Sequence, residues 1–277
     1  MPSRPHRRGG GVALLVLVLL VVGALVAPAP GSASDAAVRA GDRRDARRSV
    51  TVAVDRTQVE VGRVLVVRGR VTPAVARTLV KVQKQLRTGG RWVTEAQVRT
   101  RADGRYAYRD RPSTPGRRHY RVVVPATARH ERLRTRALTV TVYRAHFLAD
   151  LPVQVQESTT AGSATIDGTT YPHSSVGAAD VTTGFVQWRV ARRCRGIRFA
   201  MGAADDSAAG SSARTDVLLD GLYYFREVHA AGDVAAPRYL RIGTKERIRF
   251  AWTSQAGGVD AAGARAVLAD TVVWCAF

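Results

Sequence analysis

Two tyrosines and an arginine follow an Asp-Gly turn in the C-terminal half of the chain: Tyr223, Tyr224 and Arg226, just past Asp220-Gly221. These residue types suit recognition of a sugar. A sugar ring has an apolar face that stacks on an aromatic plane, and equatorial hydroxyls that pair bidentately with Asp, Asn or Arg. Strand alternation sends Tyr223 and Tyr224 to opposite faces, which predicts one exposed ring. Trp252, followed by Thr253–Gly258, is a second candidate platform. Ile248, Phe250 and Trp252 share one strand face, however, and that period by itself favours core packing for Trp252, as it does for Trp274.

Asp205-Asp206, followed by Ser207 and a Gly/Ser-rich loop, is a candidate for sugar hydroxyls or for Ca²⁺, a hard cation that takes six to eight oxygens. A polar turn with a capping Asp explains the same residues without a ligand. No other cofactor is expected. HExxH, G-x-S-x-G, GxGxxG and Walker motifs are absent, so the enzyme classes they mark are not expected. Asp205, Asp206, Asp216, Asp220 and Glu227 leave paired-carboxylate glycoside hydrolysis as the enzymatic alternative to a non-catalytic protein.

The elements that must position these residues read as strands. From Ser49, Val50, Val52 and Val54 alternate with Thr51, Ala53 and Asp55, the period of a half-buried strand. Further strands are predicted at Val64–Val71, Leu79–Leu86, Trp92–Val98, Tyr106–Arg109, His119–Val124 and Leu138–Val142. Turn signals separate them at Gly62, Thr88-Gly89-Gly90, Asp103-Gly104 and Pro115-Gly116. Seven short strands in this stretch predict an immunoglobulin-like sandwich, with Trp92 in its core. Strand patterns resume at His146 and continue to Phe277, with a hairpin signal at Asp220-Gly221, and predict a second sandwich of jelly-roll type. The fold class is therefore all-β.

The chain has 277 residues and a formal net charge of +21, unevenly spread. Residues 1–34 carry three Arg and no acid, residues 35–149 carry 27 basic and 9 acidic residues, and residues 150–277 carry 13 of each. The break marks a domain boundary: residues 1–34 as signal peptide, 35–48 as polar linker, 49–145 as the basic sandwich and 146–277 as the neutral one. Arg4, Arg7 and Arg8, the apolar run Val12–Ala27 and the small residues through Ser34 have the parts of a secretory signal. A secreted or cell-surface location follows, with a membrane partner only if the signal stays uncleaved. In that compartment Cys194 and Cys275 are expected to form a disulfide. The basic segment would attract anionic wall polymers. Nucleic acid is not an expected partner, since the arginines are scattered and no recognition helix is present.

Residues 49–144 resemble the small immunoglobulin-like modules repeated in secreted actinobacterial proteins. The resemblance rests on Gly62, Val64–Val67, Gly69-x-Val71, Gly90, Trp92, Asp103-Gly104, Tyr106, Gly116 and Tyr120-Arg121. Residues 146–277 resemble the NPCBM family of carbohydrate-binding modules. The matching features are Leu148-x-Asp150-Leu151, Ile166-x-Gly168-x₂-Tyr171, Gly202-x-x-Asp205-Asp206, Asp220-Gly221 and Asp270-x₃-Trp274. That resemblance implies a non-catalytic sandwich binding a glycan or cell-wall polysaccharide, here without an accompanying glycosidase domain. The expectation is a secreted carbohydrate-binding protein with the basic sandwich as spacer or wall adaptor. The alternative is a structural or adhesive protein reading protein partners, which should expose a broad apolar patch instead.

Overall fold

A computed structural model describes residues 48–257 and 263–277. The signal-peptide reading and all of the linker but Arg48 lie outside the described residues. The first ten strands are β1 (Ser49–Val50), β2 (Ala53–Val54), β3 (Gln58–Glu60), β4 (Leu65–Thr72), β5 (Leu79–Gln85), β6 (Val93–Arg99), β7 (Arg105–Asp110), β8 (Gly116–Val124), β9 (Leu133–Arg134) and β10 (Leu138–Phe147). In one sheet, β4 pairs with β1, β2 and β7. In the other the order is β10-β8-β5-β6, with β3 running parallel along β10. The two sheets close on Leu65, Val67, Val80, Val82, Tyr106, Tyr120, Val122, Val140 and Val142, the inward set that the alternation specifies. This is the expected immunoglobulin-like sandwich. Trp92 lies outside that core: it precedes edge strand β6 and is half-buried under Arg121, whose guanidinium lies 4.0 Å from its ring centroid.

After a single 3₁₀ turn at Leu148–Asp150 come ten more strands. They are β11 (Val153–Glu157), β12 (Thr159–Ile166), β13 (Thr169–Gly177), β14 (Thr183–Arg189), β15 (Cys194–Ala203), β16 (Ser212–Leu219), β17 (Leu222–Ala230), β18 (Arg238–Arg241), β19 (Arg247–Gln255) and β20 (Ala266–Cys275). One sheet has the order β12-β13-β20-β15-β18, and the facing five-stranded sheet has the order β11-β14-β19-β16-β17. Between them Trp188, Ile197, Phe199, Met201, Leu219, Ile248, Phe250, Trp252 and Leu268 are fully buried. The protein is all-β, as its periodicities predict.

β10 runs unbroken from Leu138 to Phe147. Its first half pairs with β8 and its second half with β20, so one strand belongs to both sandwiches. Cys194 and Cys275 sit directly opposite each other on β15 and β20 and form a disulfide.

Candidate functional site

The turn after β16 is the Asp-Gly hairpin that the sequence signals. Asp220 and Gly221 take φ of 51° and 85°, the pair of left-handed residues that a two-residue hairpin turn needs. Asp220 Oδ1 also accepts the amides of Glu246 and Arg247 at 3.0 and 2.9 Å, which fixes the turn against the start of β19. β17 then leaves the turn with Tyr223 opposite Leu218, but a bulge inserts Tyr224 before Phe225 pairs with Val217. The bulge breaks the alternation, and both tyrosines are solvent-exposed, Tyr223 by 62% and Tyr224 by 40%. Simple period-two counting predicts only one.

On the outer face of the five-stranded sheet, Arg226 lies opposite Asp216. Its Nε donates to Asp216 Oδ1 at 2.7 Å, and its guanidinium carbon lies 4.5 Å from the Tyr223 ring centroid. Arg214 approaches the other oxygen of Asp216 at 3.7 Å and donates to Thr253 Oγ1 at 3.1 Å. Asp216 is buried beneath these cations, and its hydrogen bond is the leading reason that the Arg226 pKa is raised. One Tyr223 face is thus covered by a guanidinium that Asp216 orients, while the ring stays exposed.

Beyond Ala251, which pairs with both Asp216 and Phe185, the same face carries a second aromatic under an arginine. The Arg249 guanidinium lies 4.4 Å from the Phe185 centroid, and its Nε donates to Gln187 Oε1 at 3.0 Å. Gln187 in turn donates to Gln154 at 3.1 Å. Sequence reasoning missed Phe185, Gln187, Arg214, Arg249 and Thr253. Their signal is the phase opposite to Ile248-Phe250-Trp252 and Val186-Trp188: whatever alternates with the core set must share the outer face.

The other proposed site residues are not there. Trp252 is a core residue, 2% exposed, and its indole Nε1 donates to Thr159 Oγ1 at 3.0 Å. Trp274 is half-buried, with Tyr239 beside it at a centroid distance of 6.1 Å. Asp205 spends both carboxylate oxygens on the backbone amides of Asp167 and Gly168, at 2.7 and 3.0 Å, holding the β12–β13 turn. Asp206 pairs with Arg265. The two acids therefore act as separate structural clamps, with different partners on either side of the chain. Among the described residues no group of three or more His, Cys, Asp or Glu converges. Glu227, the remaining acid of the hydrolase alternative, pairs with Arg238 at 2.6 Å. On β17 it pairs in register with Thr215, whereas Asp216 pairs with Arg226.

Towards the far end of β17 from the tyrosines, His229 is buried, with Nε2 3.2 Å from Thr215 Oγ1. Burial lowers its pKa from the ordinary 6.5, against an opposing pull from Glu227 and Asp233. The folded state therefore resists protonation that the unfolded chain accepts. The stability tied to this residue is fully present above pH 6.5 and is lost as pH falls from there through the depressed folded value. Chemical denaturation between about pH 7.5 and about pH 5, on either side of the free imidazole's value of about 6.5, should show this decline, and His229→Gln should reduce it to the part due to His146, whose pKa burial also lowers.

No known protein family matches the chain, and no curated protein does. Several solved structures are similar to it. One is the M60 catalytic domain with the CBM51-1 and CBM51-2 domains of Clostridium perfringens ZmpB: 11% identity and TM-score 0.40, over 86% of this chain and 32% of that one. Another is CBM51 from Clostridium perfringens GH95 in complex with methyl-galactose, at 11% identity and TM-score 0.36, over 47% of this chain and 99% of that one. A third is the carbohydrate-binding module CBM36 in complex with calcium and xylotriose, at 7% identity and TM-score 0.27, over 47% of this chain and 98% of that one. The chain spans about a third of the length of the first of these.

Proposed function

We propose that this is a secreted, non-catalytic carbohydrate-binding protein of the NPCBM type. In this reading the outer face of the β11-β14-β19-β16-β17 sheet reads the glycan, and the basic sandwich serves as spacer or wall-facing adaptor. The observation that carries the reading is the Tyr223–Arg226–Asp216 assembly. An exposed ring offers a stacking plane, and beside it a guanidinium is already oriented by a buried carboxylate, so little side-chain entropy is lost when a hydroxyl pair or acid group docks. Phe185 with Arg249 and Gln187 supplies a second subsite of the same make-up across Ala251.

The test is titration of a bound glycan against Tyr223→Ala and Arg226→Ala. Each variant should weaken binding by about tenfold or more, the equivalent of roughly 1.4 kcal/mol. The melting temperature should be nearly unchanged in Tyr223→Ala, whose ring is exposed, and lowered in Arg226→Ala, which leaves the buried Asp216 without its closest partner. A protein-reading surface would rest on the apolar edge of β17, where Leu222 and Val228 are 62% and 65% exposed. Val228→Ser should leave glycan affinity within about twofold, and a glycan affinity that falls with Val228→Ser but not with Tyr223→Ala would overturn the assignment of Tyr223 as the stacking plane.

A further inference from the structure

The connection from β14 to β15 is a turn with two consecutive left-handed residues, Ala191 at φ 48° and Arg192 at φ 59°. Arg193 N–H closes it on Val190 O at 2.9 Å. Such turns favour Asn-Gly, because a residue with a side chain costs about 1–2 kcal/mol in this region. Strain of this kind gathers where a side chain is used. The arginine held there borders two adjoining cavities of about 460 and 600 Å³ at the junction of the sandwiches, and Tyr143 is their other common wall.

Five arginines line the pair: Arg195 and Arg241 on one side, Arg117 and Arg193 on the other, with Arg192 between. Two carboxylates oppose them. Glu60 pairs with Arg195, and Glu246 pairs with Arg192 at 2.9 Å, so an excess of cations remains. The frame is rigid. β10 spans both sandwiches, the Cys194–Cys275 bridge adjoins the turn, and Ala276 N–H donates to Arg193 O at 2.8 Å. Two adjoining basic cavities fit a ligand with repeated anionic groups. Tyr143 is buried with Arg195 near its ring, and Tyr239 is the single exposed aromatic of the lining. This leaves no row of open aromatic faces for successive bases, so the cleft suits a sugar polymer better than a single-stranded nucleic acid.

We infer that this cleft binds an anionic polysaccharide, whose acid groups pair with Arg192 and with the arginines on either side of it. The inference rests on residues separate from the Tyr223 face and stands or falls without it. The test uses the full chain and measures binding of polygalacturonate, dextran sulfate, inorganic polyphosphate, neutral dextran and an oligothymidylate at near-physiological salt, where long-range attraction is screened. Arg192→Gly with Arg193→Ser should weaken the two acidic polysaccharides by about tenfold or more. Its melting temperature should hold or rise, because glycine relieves the strained turn. Arg87→Ser with Arg91→Ser removes the same charge from exposed positions between β5 and β6, and should cost less than about twofold. Carboxylate or sulfate preference then identifies the acid group. Equal losses in the two double variants, equal binding of neutral dextran, or tightest binding of polyphosphate or oligothymidylate would overturn the inference.

Discussion

Trp252→Ala should destabilise the second sandwich by about 3–5 kcal/mol, the usual cost of emptying a large aromatic from a core. The ring is fully enclosed: it belongs to the buried cluster with Trp188, Phe250 and Ile248, and it carries a hydrogen bond to Thr159. Its fit is close enough to dictate the neighbouring sequence. Gly177 on β13 and Gly184 on β14 press against the indole, and a Cβ on either would lie 2.6 Å from a ring carbon. Thermal or urea unfolding measures the effect, and Gly184→Val should reproduce much of it from the opposite direction by overpacking. A Trp252→Ala variant with native stability and lost glycan binding would return this residue to a ligand surface.

Cys194→Ala with Cys275→Ala should lower stability by about 4 kcal/mol, on the chain-entropy model of a disulfide. The cysteines lie 81 residues apart in sequence, and the bridge ties β15 to the last strand. That strand pairs with β10, β13 and β15, and contributes Leu268 and Val273 to the core. Without the bridge, β20 would be held only by its ladders and packing. Unfolding of the oxidised protein, the reduced protein and the double variant gives the number. A difference below about 1 kcal/mol would mean that the unfolded chain is already compact around this pair.

The sheet content was legible in the sequence because every strand with one buried face writes its period into the residues. Leu65, Val67 and Val71 alternate inward on β4, as do Ile248, Phe250 and Trp252 on β19. The same period identified Trp252 as core, so its candidacy as a platform rested on residue type and failed on geometry. Legibility ended where alternation ends. The bulge at Tyr224 leaves no mark in the residue pattern, because one extra residue needs no special side chain. Nor could sequence reveal that Asp205 serves the β12–β13 turn, since its partners Asp167 and Gly168 lie 38 and 37 residues away. Asp216 was visible as an acid but not as the anchor of Arg226. That relation depends on the register of β16 with β17, which the hairpin turn and the bulge set together.

Glycan-array binding of the purified full chain, beside its Tyr223→Ala/Arg226→Ala variant, tests the central claim most directly. Saturable binding to a defined set of glycans should appear in the parent chain. The double variant should lose it while staying folded at the assay temperature, its melting temperature lowered by the unpaired Asp216, and Tyr223→Ala alone should weaken binding with the melting temperature unchanged. Absence of glycan binding in the parent chain, or binding that survives the double substitution, would contradict the assignment of this sheet face as the glycan reader.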